Sequence, residues 1–180
     1  CNVRIQTIPS MPEILSGRAS IEQVRDVKIE ELLGRDTVPY MSSLMSKCIA
    51  DKAVLVTGAG GSIGSELCRP ITEQRPKTIV LLESNEYFLY KIEHELKELL
   101  KVESLNVRMF ALLGSVTNRD RIAKLIKHFS LDTIYHAAAY KHVPIVEHNI
   151  VEGVANNIFG TQVVAEEAAK AGVGHFILIS

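Results

Sequence analysis

A chain of 180 residues, 47% apolar and with a net charge of −1, has the size and composition of one soluble globular domain with a sizeable core. That balance of charge leaves no basic excess to suggest a nucleic-acid partner. No apolar run nears the roughly 20 residues that cross a bilayer, so this segment is expected to make no membrane contact. Three cysteines, Cys1, Cys48 and Cys68, lack zinc-ligand spacing and point to a reducing, cytoplasmic compartment rather than a disulfide framework. No secretory leader is recognisable. The chain starts on Cys1 and stops on Ser180 inside an apolar run, which predicts a piece of a longer protein.

Residues 1–47 read as the end of a preceding domain plus a connector. Val3 to Ile8 alternate like a half-buried strand, Pro9-Ser10 break it, and Met11 to Leu15 fit a short helix. Val24, Val27, Ile29, Leu32 and Leu33 are apolar without a period, and Val38-Pro39 stops what precedes it. Residues 48–180 then alternate strand and helix. Lys52-Ala53-Val54-Leu55-Val56-Thr57 is a short apolar run, a strand buried on both faces. It ends in Gly58, Gly61 and Gly64, and Ser65-Glu66-Leu67-Cys68 continues as helix. Pro70 falls inside that helix, predicting either a bend there or a less stable turn.

The second strand is Thr78–Glu83, and a helix from about Asn85 to Leu100 carries Leu89, Ile92, Leu96 and Leu99 on one face, with Ser84 as its N-cap. A third strand lies within Asn106–Leu113. Thr117 is expected to cap the next helix, whose stripe is Ile122, Leu125, Ile126 and Phe129. The fourth strand is Asp132–His136. A long helix near Val151–Ala171 is expected to bury Val154, Ile158, Thr161, Ala165 and Ala168, and His175–Ser180 forms the fifth strand. Right-handed crossovers make this an α/β fold, a Rossmann-like doubly wound parallel sheet ordered 3-2-1-4-5 and cut after the fifth strand.

The glycines carry the first functional expectation. Gly58 lets the chain turn out of the strand, Gly61 lacks a Cβ so that a pyrophosphate can approach, and Gly64 lets the helix lie close. Backbone amides at Ser62, Ile63 and Gly64, at the positive end of the helix, then meet the phosphates. Glu83 closes the second strand, where a carboxylate accepts from the adenosine ribose and repels a 2′-phosphate, favouring NAD over NADP. Gly114-Ser115-Val116 follows the third strand, at the adenine end, where a plain turn is the alternative. His136-Ala137-Ala138-Ala139 offers small side chains for a nicotinamide ribose to pass, or else only tight packing. Lys141 and His142 fit a phosphorylated or nucleotide-linked substrate, or a solvated loop. Asn157, poorly favoured inside a helix, predicts a buried polar role near the cofactor, and Gly160 a close approach by another element. Tyr87 and Lys91 match Tyr-x-x-x-Lys but sit after the second strand, at the adenosine end, and read as ordinary helix residues. The six histidines show no metal-ligand spacing.

The run Val54 to Glu66, then His136-Ala137-Ala138-Ala139-Tyr140-Lys141-His142-Val143-Pro144, Glu147-His148-Asn149 and Asn156-Asn157-Ile158-Phe159-Gly160-Thr161, resembles the nucleotide-sugar dehydratase/epimerase branch of the extended short-chain dehydrogenases. Within it the chain is most similar to CapD-like UDP-N-acetylglucosamine 4,6-dehydratases of polysaccharide biosynthesis. Ile29 to Arg35 resembles the segment joining such proteins' membrane-associated half to their catalytic half. The resemblance implies NAD as cofactor and a UDP-sugar as substrate. Hydride leaves C4, water is lost across C5–C6, and hydride returns to C6. It also implies that the catalytic acid and base follow Ser180, so that this chain binds NAD without turnover. A UDP-sugar epimerase, or a non-catalytic nucleotide-binding module, would share the motifs present, and self-association is left open.

Overall fold

In the computed structural model, residues 6–7, 25–26 and 42–179 are described. The chain divides into two compact units, Cys1–Tyr40 and Met41–Ser180. In the first, β1 (Gln6–Thr7) pairs antiparallel with β2 (Arg25–Asp26), Gln6 opposite Asp26. The helix expected at Met11–Leu15 and the connector after Asp26 lie outside the described residues.

The second unit begins with α1 (Ser42–Ile49) and continues as β3 (Ala53–Thr57), α2 (Ser62–Glu73), β4 (Thr78–Glu83), α3 (Glu86–Val102), β5 (Arg108–Leu113), α4 (Arg119–Phe129) and β6 (Thr133–His136). After α5 (Val143–His148) come α6 (Ile150–Val154), a π-helical segment (Ala155–Gly160), α7 (Thr161–Lys170) and β7 (His175–Leu178). The strands form one sheet in the order β5-β4-β3-β6-β7, every pair parallel. This is the predicted order. Val56 pairs with Leu81 on one side and Tyr135 on the other.

Every residue of β3, β4 and β6 is buried, because helices cover both faces of the sheet. Successive side chains point to opposite faces, and two cores result. Val54, Val56, Ile79 and Leu81 pack with Ile49 of α1, Ile71 of α2 and Ile92 and Leu96 of α3. Leu55, Val80, Leu82 and Ile134 pack with Ile122 and Ile126 of α4 and Val164 and Ala168 of α7. The carboxyl ends of β3, β4 and β6 therefore emerge side by side from a rigid layer.

Three local expectations need correction. Asn85, not Ser84, caps α3: its side chain accepts from the Phe88 N–H at 3.1 Å. Asn118, not Thr117, caps α4 by accepting from Arg121 N–H at 3.1 Å. In both cases the amide oxygen reaches the third helical N–H, whereas Ser84 bonds Glu83 and Thr117 bonds Ser115. The long helix is also not regular. Val154 and Ile158, expected inside, are 36% and 58% exposed, and Gly153, Gly160, Val163 and Val164 are buried instead. A π turn holds an extra residue, so it rotates the buried face relative to a regular helix. Gly160 does admit a close neighbour, since a Cβ there would stand 2.7 Å from Val116 Cγ2. Pro70 falls in the last turn of α2, which continues to Glu73. The ladder loses only the bond back to Glu66.

Candidate nucleotide-binding site

The junction between β3 and α2 is built by close backbone contact. Gly58 has φ +64°, and a Cβ on it would lie 2.7 Å from the Ala137 carbonyl oxygen and Ala138 Cα. A Cβ on Gly64 would overlap the Gly58 carbonyl, and one on Gly60 would lie 2.6 Å from Phe88 Cβ. Gly61 differs: it is exposed, its nearest neighbour would be the Gly58 oxygen at 3.2 Å, and its N–H already bonds that oxygen at 3.0 Å. It caps α2 without any side-chain hydrogen bond. The amides of Ser62 and Ile63 have no carbonyl one helical turn before them, and both residues are exposed. Open amides at the positive end of a 12-residue helix form a cradle for an anion.

Glu83 is 8% exposed. Its Oε1 accepts from the N–H groups of Ser84 (2.8 Å) and Asn85 (3.0 Å) and from the Ser84 hydroxyl (3.2 Å). Its Oε2 accepts from Gly60 N–H at 3.1 Å. The carboxylate thus ties the glycine turn to the end of β4, and Oε2 keeps one lone pair for a ligand hydroxyl. Ser115 uses its hydroxyl locally, 2.8 Å from Thr117 Oγ1 and accepting from Thr117 N–H at 3.2 Å. Val116 is buried in the core beneath that turn.

On the other side of the junction, Ala137 to Ala139 leave β6. Asn156 donates to the Ala138 carbonyl at 3.1 Å. Asn157 grips Tyr140 twice, accepting from its N–H at 2.8 Å and donating to its carbonyl at 2.9 Å. The side chain that sequence placed near the cofactor therefore holds the loop. Lys141 Nζ reaches back to Ser62 Oγ at 2.5 Å, setting a cation over the helix N-terminus. A cavity of about 1000 Å³ runs past Gly61, Ser62, Ala137, Ala139, Lys141 and His142. Phe88 and Lys91 of α3 also line it, whereas Tyr87 is 67% exposed. Glu83, Ser115 and Val116 lie outside that cavity, and Asn157 lines a second one of about 490 Å³ with Tyr140 and Ile158.

Sequence reasoning passed over the side chain of His136. It is 2% exposed and bridges three elements. Thr161 spends its hydroxyl proton on the Asn157 carbonyl at 2.8 Å, so it accepts from His136 Nε2 at 2.9 Å. Nδ1 is then the bare nitrogen and accepts from the Thr57 hydroxyl at 2.8 Å. Burial pushes the imidazole down to about 4, so it is neutral at pH 7. Its position, next to three alanines at a strand end, is the one signal that could have found it. Among the described residues no cluster of histidine, cysteine or carboxylate side chains could hold a metal. No described helix is long and apolar enough to cross a membrane.

The sheet order and the glycine junction define a Rossmann-like domain. The family model for polysaccharide biosynthesis proteins matches residues 54–180. The chain is 39% identical over 183 residues to the capsular polysaccharide biosynthesis protein CapD of Staphylococcus aureus, covering 100% of this chain and 30% of CapD. It is 44% identical over 178 residues to the probable polysaccharide biosynthesis protein EpsC of Bacillus subtilis (strain 168), covering 99% of this chain and 29% of EpsC. An inverting UDP-N-acetylglucosamine 4,6-dehydratase of Campylobacter jejuni is 30% identical over 130 residues, covering 72% and 36% of the two chains. A crystal structure of DesIV, a dTDP-glucose 4,6-dehydratase of Streptomyces venezuelae with NAD and TYD bound, aligns with a TM-score of 0.54 at 25% identity over 69% of this chain and 38% of that one. This chain belongs to the polysaccharide biosynthesis protein family. It spans about 30% of the length of the CapD and EpsC relatives.

Proposed function

We propose that residues 48–180 are the NAD-binding part of a nucleotide-sugar 4,6-dehydratase that acts on a UDP-sugar such as UDP-N-acetylglucosamine. The observation that carries this reading is the open, uncapped start of α2 at Gly61–Ile63, facing a loop of small side chains across the carboxyl edge of the sheet. A Cβ at Gly61 would narrow that cradle, and the open amides around it suit the negative charge of a diphosphate. In this reading the amides of Ser62, Ile63 and Gly64 hold the pyrophosphate, with Lys141 adding a positive charge. The free lone pair on Glu83 Oε2 accepts from the adenosine ribose, and Ser115 and Val116 border the adenine. Ala137, Ala138 and Ala139 leave room for the nicotinamide ribose, and Asn157 keeps them in place through Tyr140. Lys141 and His142 meet the UDP-sugar.

Bound NAD supplies a hydride acceptor, and this chain's residues orient it and exclude side chains from its path. The relatives named for 4,6-dehydratase activity support that reaction. Elimination of water needs a general acid and base, and in this reading residues 48–180 do not supply them. Calorimetric titration of this chain with NAD tests the cofactor assignment, and equal affinity for NADP would remove the discriminating role of Glu83. Incubating a protein that carries this segment at its relatives' full length with UDP-N-acetylglucosamine tests the reaction. Loss of water by mass spectrometry is the expected result. Inversion at C4 without loss would make it an epimerase, and an unchanged sugar a nucleotide-binding module.

A further inference from the structure

Arg121 is the basic residue of the adenosine end that the reading above leaves without a task. It sits in the first turn of α4, exposed, and its guanidinium Nη2 donates to the Leu113 carbonyl at 2.5 Å. That carbonyl is the last of β5, paired in register with Glu83. The side chain passes close over Gly114: a Cβ there would overlap Arg121 Nε and stand 2.9 Å from its Cδ. Gly114 has no positive φ, so its lack of a side chain serves this close approach and not backbone strain. Gly114 N–H in turn bonds the Glu83 carbonyl at 2.8 Å. The guanidinium is thus fixed at the carboxyl edge of β4 and β5, one strand from the ribose candidate.

Two further facts give it a ligand. Among the described residues Arg121 pairs with no carboxylate, whereas Arg69 and Arg119 are each held by two. Ser115, the side chain sequence offered to the base, has its hydroxyl engaged with Thr117. Arg121 is exposed, its stem held against the Gly114 backbone and most of its N–H groups unspent, and a planar cation anchored in this way can stack on an aromatic ring. We propose that Arg121 is the platform for the adenine base, a specificity-determining residue that recognises a purine by stacking. The proposal rests on the NAD-binding reading above.

The experiment titrates this chain with NAD, NADP and ADP-ribose by calorimetry, for the wild type and for Arg121→Met, Arg121→Lys and Gly114→Ala. Thermal melts report folding for each. Arg121→Met should weaken NAD and ADP-ribose by about tenfold alike, since both carry adenine. Arg121→Lys keeps the charge without the plane and should lose about as much. Gly114→Ala displaces the guanidinium without removing it, and should reproduce the loss even if the methionine variant folds poorly. Failure of the wild type to bind NAD would overturn the cofactor reading itself. Wild-type binding with unchanged affinity in folded variants would overturn only the role of Arg121. Rescue by lysine, or a loss confined to NADP, would make the residue a phosphate contact and overturn the stacking platform.

Discussion

The glycine turn between β3 and α2 and the loop from Ala137 to Tyr140 meet at the same edge of the sheet, but different forces hold them. The turn is fixed by sterics: Gly58 fits against Ala137 and Ala138, Gly60 against Phe88, and Gly64 against Gly58, all where a methyl group has no room. The loop is fixed by side-chain hydrogen bonds from one helical segment, those of Asn156 and Asn157, supported from beneath by His136 and Thr161. A steric fit fails abruptly on substitution, whereas a hydrogen-bonded clamp loosens by degrees and responds to pH. The site thus has one wall locked by steric fit and one held by hydrogen bonds, which is expected to be the more movable.

The largest effect is expected from breaking the rigid wall. Gly64→Ala drives a methyl group into the Gly58 carbonyl, and both neighbours are backbone, so the helix must shift. The substitution should cost about 3 kcal/mol of stability and abolish NAD binding. Gly61→Ala, where the neighbour would stand at 3.2 Å and alanine is a poorer N-cap than glycine, should cost about 1 kcal/mol, far less than Gly64→Ala, yet still weaken NAD. Urea unfolding with calorimetry separates the two. Equal destabilisation would mean that Gly61 is structural, and that the cradle is not open.

The movable wall should respond to acid through His136. Its folded value is lowered to about 4 from an ordinary 6.5, so between these values the unfolded chain binds the additional proton. Stability contributed by the neutral imidazole is therefore complete above about pH 6.5 and is lost as pH falls toward 4, by at most about 3 kcal/mol. His136→Gln, which retains a donor and an acceptor for Thr161 and Thr57, should flatten that part of the pH profile of the urea midpoint. A variant profile parallel to the wild type would remove His136 as its source.

These two walls also explain what the sequence disclosed. Gly58, Gly61 and Gly64 follow an apolar run and precede a helix, so local sequence alone locates the turn, and strand order follows from the doubly wound fold that such a turn marks. Glu83 was legible as a strand-end carboxylate, but not its bonds to Gly60 and Asn85, which depend on how two loops meet. The π turn was invisible because a hydrophobic period assumes a constant rise and rotation. Asn157 signalled polarity inside a helix, but its partner Tyr140 lies 17 residues away and is chosen by tertiary contact. Ser84 and Thr117 misled because serine and threonine are good caps in general, while asparagine stood one residue later in each case.

A smaller effect should come from Asn157 itself. Asn157→Ala removes both bonds to Tyr140 from a partly exposed site, so it should lower global stability by about 1 kcal/mol. Its local consequence should be larger. Amide exchange at Tyr140 should accelerate well beyond that at Ile134, which lies in β6. Uniform acceleration across both would show that the loop and strand open together, and the distinction between a fixed and a movable wall would fail.

The smallest expected change probes where the walls touch. Lys141 crosses from the loop to Ser62 on the turn, an exposed contact of little value to stability. Lys141→Met should leave the urea midpoint nearly unchanged. Its cost should appear in binding, as a several-fold weaker NAD affinity whose dependence on salt is shallower than that of the wild type. The direction follows from charge: a cation held above open amides raises the local potential only while unscreened, and salt removes that advantage. If the variant binds NAD as tightly as the wild type at low salt, Lys141 belongs to the UDP-sugar side alone, and the movable wall reaches the cofactor only through the alanines.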